Sequence, residues 1–315
     1  MVLNNRFILF FPAVKIFLIM LLISLSSSCS SQPSKSEAVN VRKNRAADLA
    51  SFGNNYFLQG QYEQAIVFFN MALEENIAVY NKPGITRSYN SLGRSYLMLG
   101  EIDAAQQLLY ASLDSADDAG DDSLTAAVSN SLGDLYLAKG ELEAALAYLR
   151  KAHEHSGKNS EEQASVLHSL ATVYSRQGDF ENALKTASDA AAINTRLKNN
   201  IQLASNYYLK GSIYSRMDNF NKAVEYLSLA LEKDMLVENS LGIAKDLKAL
   251  GIVHNKFNRP EQAYRYFMHS LMVFEILENR HEMYDVLLRL TEISKDLGRS
   301  RDAEYFESRL ESMEG

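Results

Sequence analysis

The chain has 315 residues, 47% of them hydrophobic and 23% charged, the proportions of a globular protein and not of a disordered one. Its net charge of −7 provides no overall basic footprint, which argues against a nucleic-acid partner. A single cysteine excludes an intramolecular disulfide, so stability has to come from apolar burial.

From the start of the chain, residues 1–28 carry Arg6 and Lys15, no acid, and a largely apolar run over Ile16–Leu25. That run is too short to span a bilayer, which needs about 20 residues. A positive segment followed by a short apolar core is the order of a secretory signal peptide. Ser26-Ser27-Ser28 then precede Cys29, the only cysteine in the chain. This junction resembles a bacterial lipobox, whose cysteine is lipidated and becomes the mature N-terminus. Ser26 departs from the leucine preferred there, and Leu25 stands one position early. The resemblance implies a lipoprotein signal peptide over 1–28, a lipid on Cys29, and a domain held outside the cytoplasm at the bacterial cell envelope. An ordinary cleaved signal and a retained anchor are the alternatives. Losing Arg6 and Lys15 with the signal takes the charge from −7 to −9, so attachment to a membrane would be covalent and not electrostatic. Residues 29–42 are polar, contain Pro33 and lack a helical period, and are predicted to be a flexible tether.

From about residue 43 to Gly315 the chain repeats, with four columns of residues recurring at a spacing of 40. One holds Gly53, Gly93, Gly133, Ala171, Gly211, Gly251 and Thr291. Three residues on stand Tyr56, Tyr96, Tyr136, Tyr174 and Tyr214; seven on stand Gly60, Gly100, Gly140, Gly178, Asp218, Asn258 and Gly298. Twelve on stand Ala65, Ala105, Ala145, Ala183, Ala223, Ala263 and Ala303. The step from Gly133 to Ala171 is 38, which predicts one inter-repeat turn two residues shorter. Leu92, Gly93 and Tyr96 lie at helical spacing, and the glycine that follows them reads as a left-handed cap. The alanines are expected to face the glycine of the preceding helix, with bulky Phe69, Leu109, Leu149, Leu227 and Phe267 one turn later. An array of one supersecondary unit is an interaction architecture.

This order of leucine, small residue, tyrosine, glycine, alanine and bulky apolar residue resembles the tetratricopeptide repeat. The period exceeds the usual 34, so the second helix of each unit is extended. In length, and in Asn90 and Asn130, the repeats look most like the kinesin light chain type. The resemblance implies an all-α solenoid of about seven helix-turn-helix repeats in a right-handed superhelix. The repeats start near 46, 86, 126, 164, 204, 244 and 284.

The resemblance also implies where a partner sits, because the first helix of each repeat lines the concave face of such arrays. Transferred by phase, the groove receives Arg87, Asn90, Arg94, Asn130, Asp134, His168, Tyr208, Lys245 and Lys248, with Arg176, Arg216 and Lys256 beside them. The last three lie near helix C-termini, where the dipole alone accounts for a cation. Asn90 and Asn130 could bond both the N–H and the C=O of an extended peptide. The chaperone-tail clamp of other such arrays is not supported, since Ala50 stands where that clamp needs a lysine.

No catalytic constellation is visible. His153 and His155 flank Glu154 without the four-residue spacing of a zinc protease, and there is no phosphate loop or paired-cysteine site. The acids Asp114, Asp117, Asp118, Asp121 and Asp122 do not follow calcium-loop spacing, and read as a solvated turn in which Asp121 or Ser123 caps the next helix. The last repeat runs close to Gly315, so no fused catalytic module is expected. The sequence thus predicts a non-enzymatic, membrane-tethered scaffold without cofactor or metal. Its groove would take a peptide segment or loop of an envelope partner protein. The runner-up is an accessory lipoprotein of solute transport, which a closed apolar pocket near Leu97, Met98 and Leu137 would favour.

Overall fold

A computed structural model describes residues 35–314; the predicted signal peptide and Cys29 lie outside them. The described residues form fourteen α-helices and no strand. They are α1 (Lys35–Leu58), α2 (Tyr62–Ala78), α3 (Lys82–Met98), α4 (Ile102–Ala119), α5 (Asp122–Lys139), α6 (Leu142–His155) and α7 (Glu161–Gln177). There follow α8 (Phe180–Leu197), α9 (Asn200–Arg216), α10 (Phe220–Leu236), α11 (Ser240–Lys256), α12 (Pro260–Ile276), α13 (Arg280–Asp296) and α14 (Ser300–Glu314). Among the described residues, no helix is long and apolar enough to cross a membrane. The described residues divide into two units, one ending at Arg42 and the other, the repeat array, running from Lys43 on. In the first, residues 35–42 are helical where the sequence suggested tether. From Ser34 to Phe52 there is neither proline nor glycine, and Glu37 sits in the first turn where the helix dipole favours an acid.

In the array, consecutive helices pack as pairs, as the columns require. Each pair turns through a left-handed residue, at φ 78° in Gly140 and at φ 58° and 56° where Asp218 and Asn258 replace glycine. The tyrosine column closes that turn from the backbone, its carbonyl accepting from the N–H five residues on, as in Glu141 to Tyr136 at 2.9 Å. The tyrosine rings stack within their own repeat: Tyr136 on Tyr148 at 5.3 Å, and Tyr214 on Tyr226 at 5.4 Å.

Two local expectations are corrected. The glycine column faces the bulky residue and not the alanine: a Cβ on Gly133 would lie 2.6 Å from Leu149, with the Ala145 carbonyl at 3.5 Å. Where the column holds Ala171, the matching bulky position is Ala187, so one methyl replaces the space lost. The 38-residue step shortens a helix and not a turn. Helix α6 has 14 residues against 17 in α10, and 156–160 form an irregular connection that ends with Ser160 capping Gln163.

Turns between repeats use side chains. Asp121 accepts from the N–H groups of Ser123 and Leu124, and Asn199, Asn239 and Asn279 cap α9, α11 and α13. Arg176 donates to the Leu137 carbonyl at 2.6 Å and Arg216 to the Ser175 carbonyl at 2.5 Å; Lys256 does the same for Ser215. Each cation therefore satisfies the open C-terminal end of the first helix of the preceding repeat. These three are inter-repeat staples, and the dipole explanation of their position holds through a neighbouring helix.

Candidate functional site: a chamber on the concave face

Within the array, the α1–α2 turn reaches the starts of α11 and α13, where Gly60 lies against Leu241 and Asn279. Tyr62, next to that turn, is buried, and burial, helped by the Glu282 charge, pushes its phenol up to about 12. The inner face of the first helices there holds a half-open chamber of about 320 Å³. Phe57, Leu58, Met98 and Leu241 line it on the apolar side, and Arg94, His168, Tyr208 and Lys245 on the polar side. Tyr62, Met98 and Lys245 also border a neighbouring hollow of about 480 Å³ that Glu282 lines. The chamber is not the closed apolar pocket expected near Leu97, Met98 and Leu137: Met98 lines it, but Leu97 borders only the neighbouring hollow, Leu137 is buried elsewhere and charged groups face the space.

Of the nine residues placed in the groove by phase, four therefore converge on the chamber. Arg94 is open to the space but surrounded by protein, which disfavours its charge, although Asp134 nearby supports it. Its guanidinium lies 5.0 Å from the Phe57 ring centre. Burial likewise lowers the Lys245 ammonium, against the opposing pull of Glu282. Burial pushes the His168 imidazole down to about 4, so it is neutral near pH 7. The Asn206 amide donates to its Nδ1 at 3.0 Å, which leaves the proton on Nε2. Burial raises the Tyr208 phenol.

The others lie elsewhere. Arg87 and Asn90 line a separate hollow with Lys43 and Asn54, between α1 and α3. Asn130 and Asp134 tie α5 to α7: the Asn130 amide donates to Ser165 at 3.3 Å, and Ser169 donates to Asp134 at 2.7 Å. Burial raises the Asp134 carboxyl, with the Ser169 hydrogen bond and Arg94 opposing. The amide oxygens of Asn90 and Asn130 are buried with no hydrogen-bond partner among the described residues. Burial opposes the charge of Lys248, but Glu282 and then Asp285 outweigh it and raise its pKa. Both acids bond its ammonium, Asp285 at 3.2 Å, so this cation is already neutralised.

The phase argument missed Asp234 and Asp246, which also line the chamber, 5% and 2% exposed. Asn239 donates to Asp234 at 2.8 Å, and a Cβ on Gly242 would lie 2.0 Å from its Oδ2, so only glycine leaves room for the carboxylate. The two acids share a hydrogen bond. Burial, with the neighbouring Asp234 charge, raises Asp246 to about 9, and burial raises Asp234 as well. One proton therefore bridges the pair at neutral pH. The same interface holds an amide pair one repeat earlier, with Asn194 donating to Asn206 at 2.8 Å. The signal in the period was weak, since Asp246 stands in a column that holds Val128, Val166 and Val286 but also Asp48, Ser88 and Asn206. The sequence held no comparable signal for Phe57, Leu58 and Tyr62, which arrive from the far end of the array. Among the described residues, no group of three or more His, Cys, Asp or Glu could hold a metal ion.

This geometry can be set beside known proteins. The tetratricopeptide repeat family profile matches residues 45–118, 87–158, 122–196 and 162–234, more than half the chain. No curated protein matches. Among solved structures, a Rap protein complexed with Competence and Sporulation Factor is similar at TM-score 0.63 and 17% identity, over 88% of this chain and 76% of that one. BtubC (BKLC) from P. vanneervenii is similar at 0.55 and 17%, over 68% and 89%. Aspartyl phosphate phosphatase F from Bacillus subtilis is similar at 0.57 and 15%, over 90% and 76%. At such identities these structures share the fold alone. The chain belongs to the tetratricopeptide repeat family.

Proposed function

We propose that this tetratricopeptide repeat chain is a membrane-tethered adaptor, held at the bacterial cell envelope by a lipid on Cys29. Its concave face binds a peptide segment or loop of an envelope partner protein. The observation that carries the peptide reading is the mixed lining of the chamber, where Phe57, Leu58, Met98 and Leu241 stand with Arg94, His168, Tyr208 and Lys245 on the concave face. An extended chain offers such a lining both apolar side chains and backbone N–H and C=O groups. Phe57, Met98 and Leu241 supply its apolar anchors. The preformed chamber lowers the ordering cost of binding. The tether rests on the lipobox-like junction at Cys29, which is a reading of the sequence.

A photoreactive residue at Met98, which is exposed and lines the chamber, tests the adaptor in intact cells. An envelope protein crosslinked through one defined segment is the expected product; adducts spread over unrelated proteins would refute the reading. Cys29→Ser should release the chain from the membrane fraction, and retention there would refute the lipid anchor. The chamber volume, at the lower end of the range for small-molecule sites, favours as second reading a ligand-binding accessory of solute transport. A defined small molecule that co-purifies with the chain, in place of a crosslinked protein, is its signature.

A further inference from the structure

We infer that the chain forms a dimer in which the first repeats of two copies meet, through an aromatic face centred on Phe52. The face belongs to the repeat array and stands apart from the chamber, which Phe52 does not line. The dimer therefore offers a partner two chambers.

The first helix of each later repeat carries one residue that meets the second helix of the repeat before it. Leu92, Leu132, Leu170, Leu250 and Leu290 hold that position and are at most 8% exposed, with Lys210 in the fifth repeat the exception. Two apolar side chains four residues apart cover each end of the series: Phe69 and Leu73 of α2 cluster with Leu92, and Phe267 and Leu271 of α12 with Leu290. Phe52 holds the same position in α1, and among the described residues no helix precedes α1 to cover it. It is 53% exposed. Its ring lies 5.7 Å from Phe68, which stacks on Tyr56 at 5.2 Å, and both of those rings are half-buried. Terminal units of a repeat array need a polar outer face to stay soluble alone. The seventh repeat has one, because the positions of Phe69 and Leu73 recur in α14 as Glu307 and Glu311. The first repeat lacks one.

These two unlike ends select a second copy, and its orientation. Stacked head to tail, a copy would press Glu307 and Glu311 onto Phe52 and strip water from two carboxylates. Stacked head to head about a twofold axis, rings meet rings and the assembly closes at two. The charges flanking the face carry both signs, Asp48 beside the Arg45–Glu75 pair at 3.3 Å, so the twofold axis brings together no block of like charge. The lipid proposed for Cys29 acts in the same direction. The chain from Cys29 to Lys43 reaches at most about 50 Å, so first repeats of neighbouring copies share one layer beside the membrane at a raised effective concentration. The aromatic face itself is independent of that lipid.

The test places a photoreactive phenylalanine analogue at Phe52 of the full chain and irradiates intact cells. The expected product has about twice the mass of the chain, with the crosslink mapped by mass spectrometry to α1 or α2 of the second copy. The same analogue at Tyr305, which is exposed on the seventh repeat, should give no such product. A crosslink from Phe52 to a different protein, to lipid or to α14 of a second copy would overturn the inference, and so would the absence of any self-adduct. Sedimentation equilibrium of the purified chain in detergent should also report a dimer, and Phe52→Glu should halve that mass without loss of helical circular dichroism. A monomer before the substitution, or a dimer that survives it, contradicts the aromatic face. Should Phe52→Glu lose helix, the crosslink decides, because the analogue keeps the ring. The dimer should persist in Cys29→Ser, so failure of the lipid anchor leaves the inference standing; a dimer lost with the lipid would show that the face does not hold it.

Discussion

Replacing Asp246 with Asn should make the stability of the array less dependent on pH. In the folded chain the Asp246 carboxyl sits at about 9, raised by burial and by Asp234, against an ordinary value near 3.8. The folded state therefore keeps a proton that the unfolded chain releases. Stability from this source is complete below about pH 4 and declines as pH rises towards the folded value, by at most about 1.4 kcal/mol per pH unit. From pH 5 to pH 8 the ceiling is about 4 kcal/mol. An amide at the same position does not titrate, can still donate to Asp234, and reproduces the pairing of Asn194 with Asn206. The variant should therefore gain on the unaltered chain by at least about 2 kcal/mol over that interval, half the ceiling, because the Asp234–Asp246 pair also relaxes. Urea unfolding followed by circular dichroism at stepped pH measures the difference. Hydrogen exchange of amides in α10 and α11 locates it, since a repeat array need not unfold as one unit. Equal pH slopes in the two proteins would refute the shared proton.

Further outcomes follow from the packing. Ala187→Leu should destabilise the array by about 1–3 kcal/mol by crowding Ala171, and Ala171→Gly in the same chain should recover part of that; additive effects in a double-mutant cycle would refute the compensation. Lys198 is exposed at φ 57°, so Lys198→Gly should raise the melting temperature, by about 1 kcal/mol in stability, and no gain would argue against the left-handed turn. Arg216→Met should cost about 1–2 kcal/mol, read from urea midpoints, by releasing the Ser175 carbonyl and the contact with Phe180. Peptide binding should be spared in that variant, because Arg216 does not line the chamber.

Much of the fold was legible because a repeat prints its packing at a fixed period. The left-handed turns at Gly140, Asp218 and Asn258, the stacked tyrosines and the Asp121 cap need only residues close in sequence, so one chain read against itself reveals them. The partner of the glycine column was misplaced by one helical turn. Spacing alone does not say whether Ala145 or Leu149 fills the gap; a distance of 2.6 Å does. Among the groove residues, phase identified the correct helices and the concave face but not the occupancy of each side chain. Lys248 and Lys245 stand three residues apart on α11, yet one is neutralised by α13 and the other opens to the chamber.

The sequence by itself determined the helical array and its phase, because these depend on local periodicity and on motifs read within a few turns. Only the tertiary structure decided that the first repeat meets the sixth and seventh. That contact is set by the small rotation added at every repeat, which accumulates along the array and leaves no mark at any one position. It bounds the space lined by Arg94, His168, Tyr208 and Lys245.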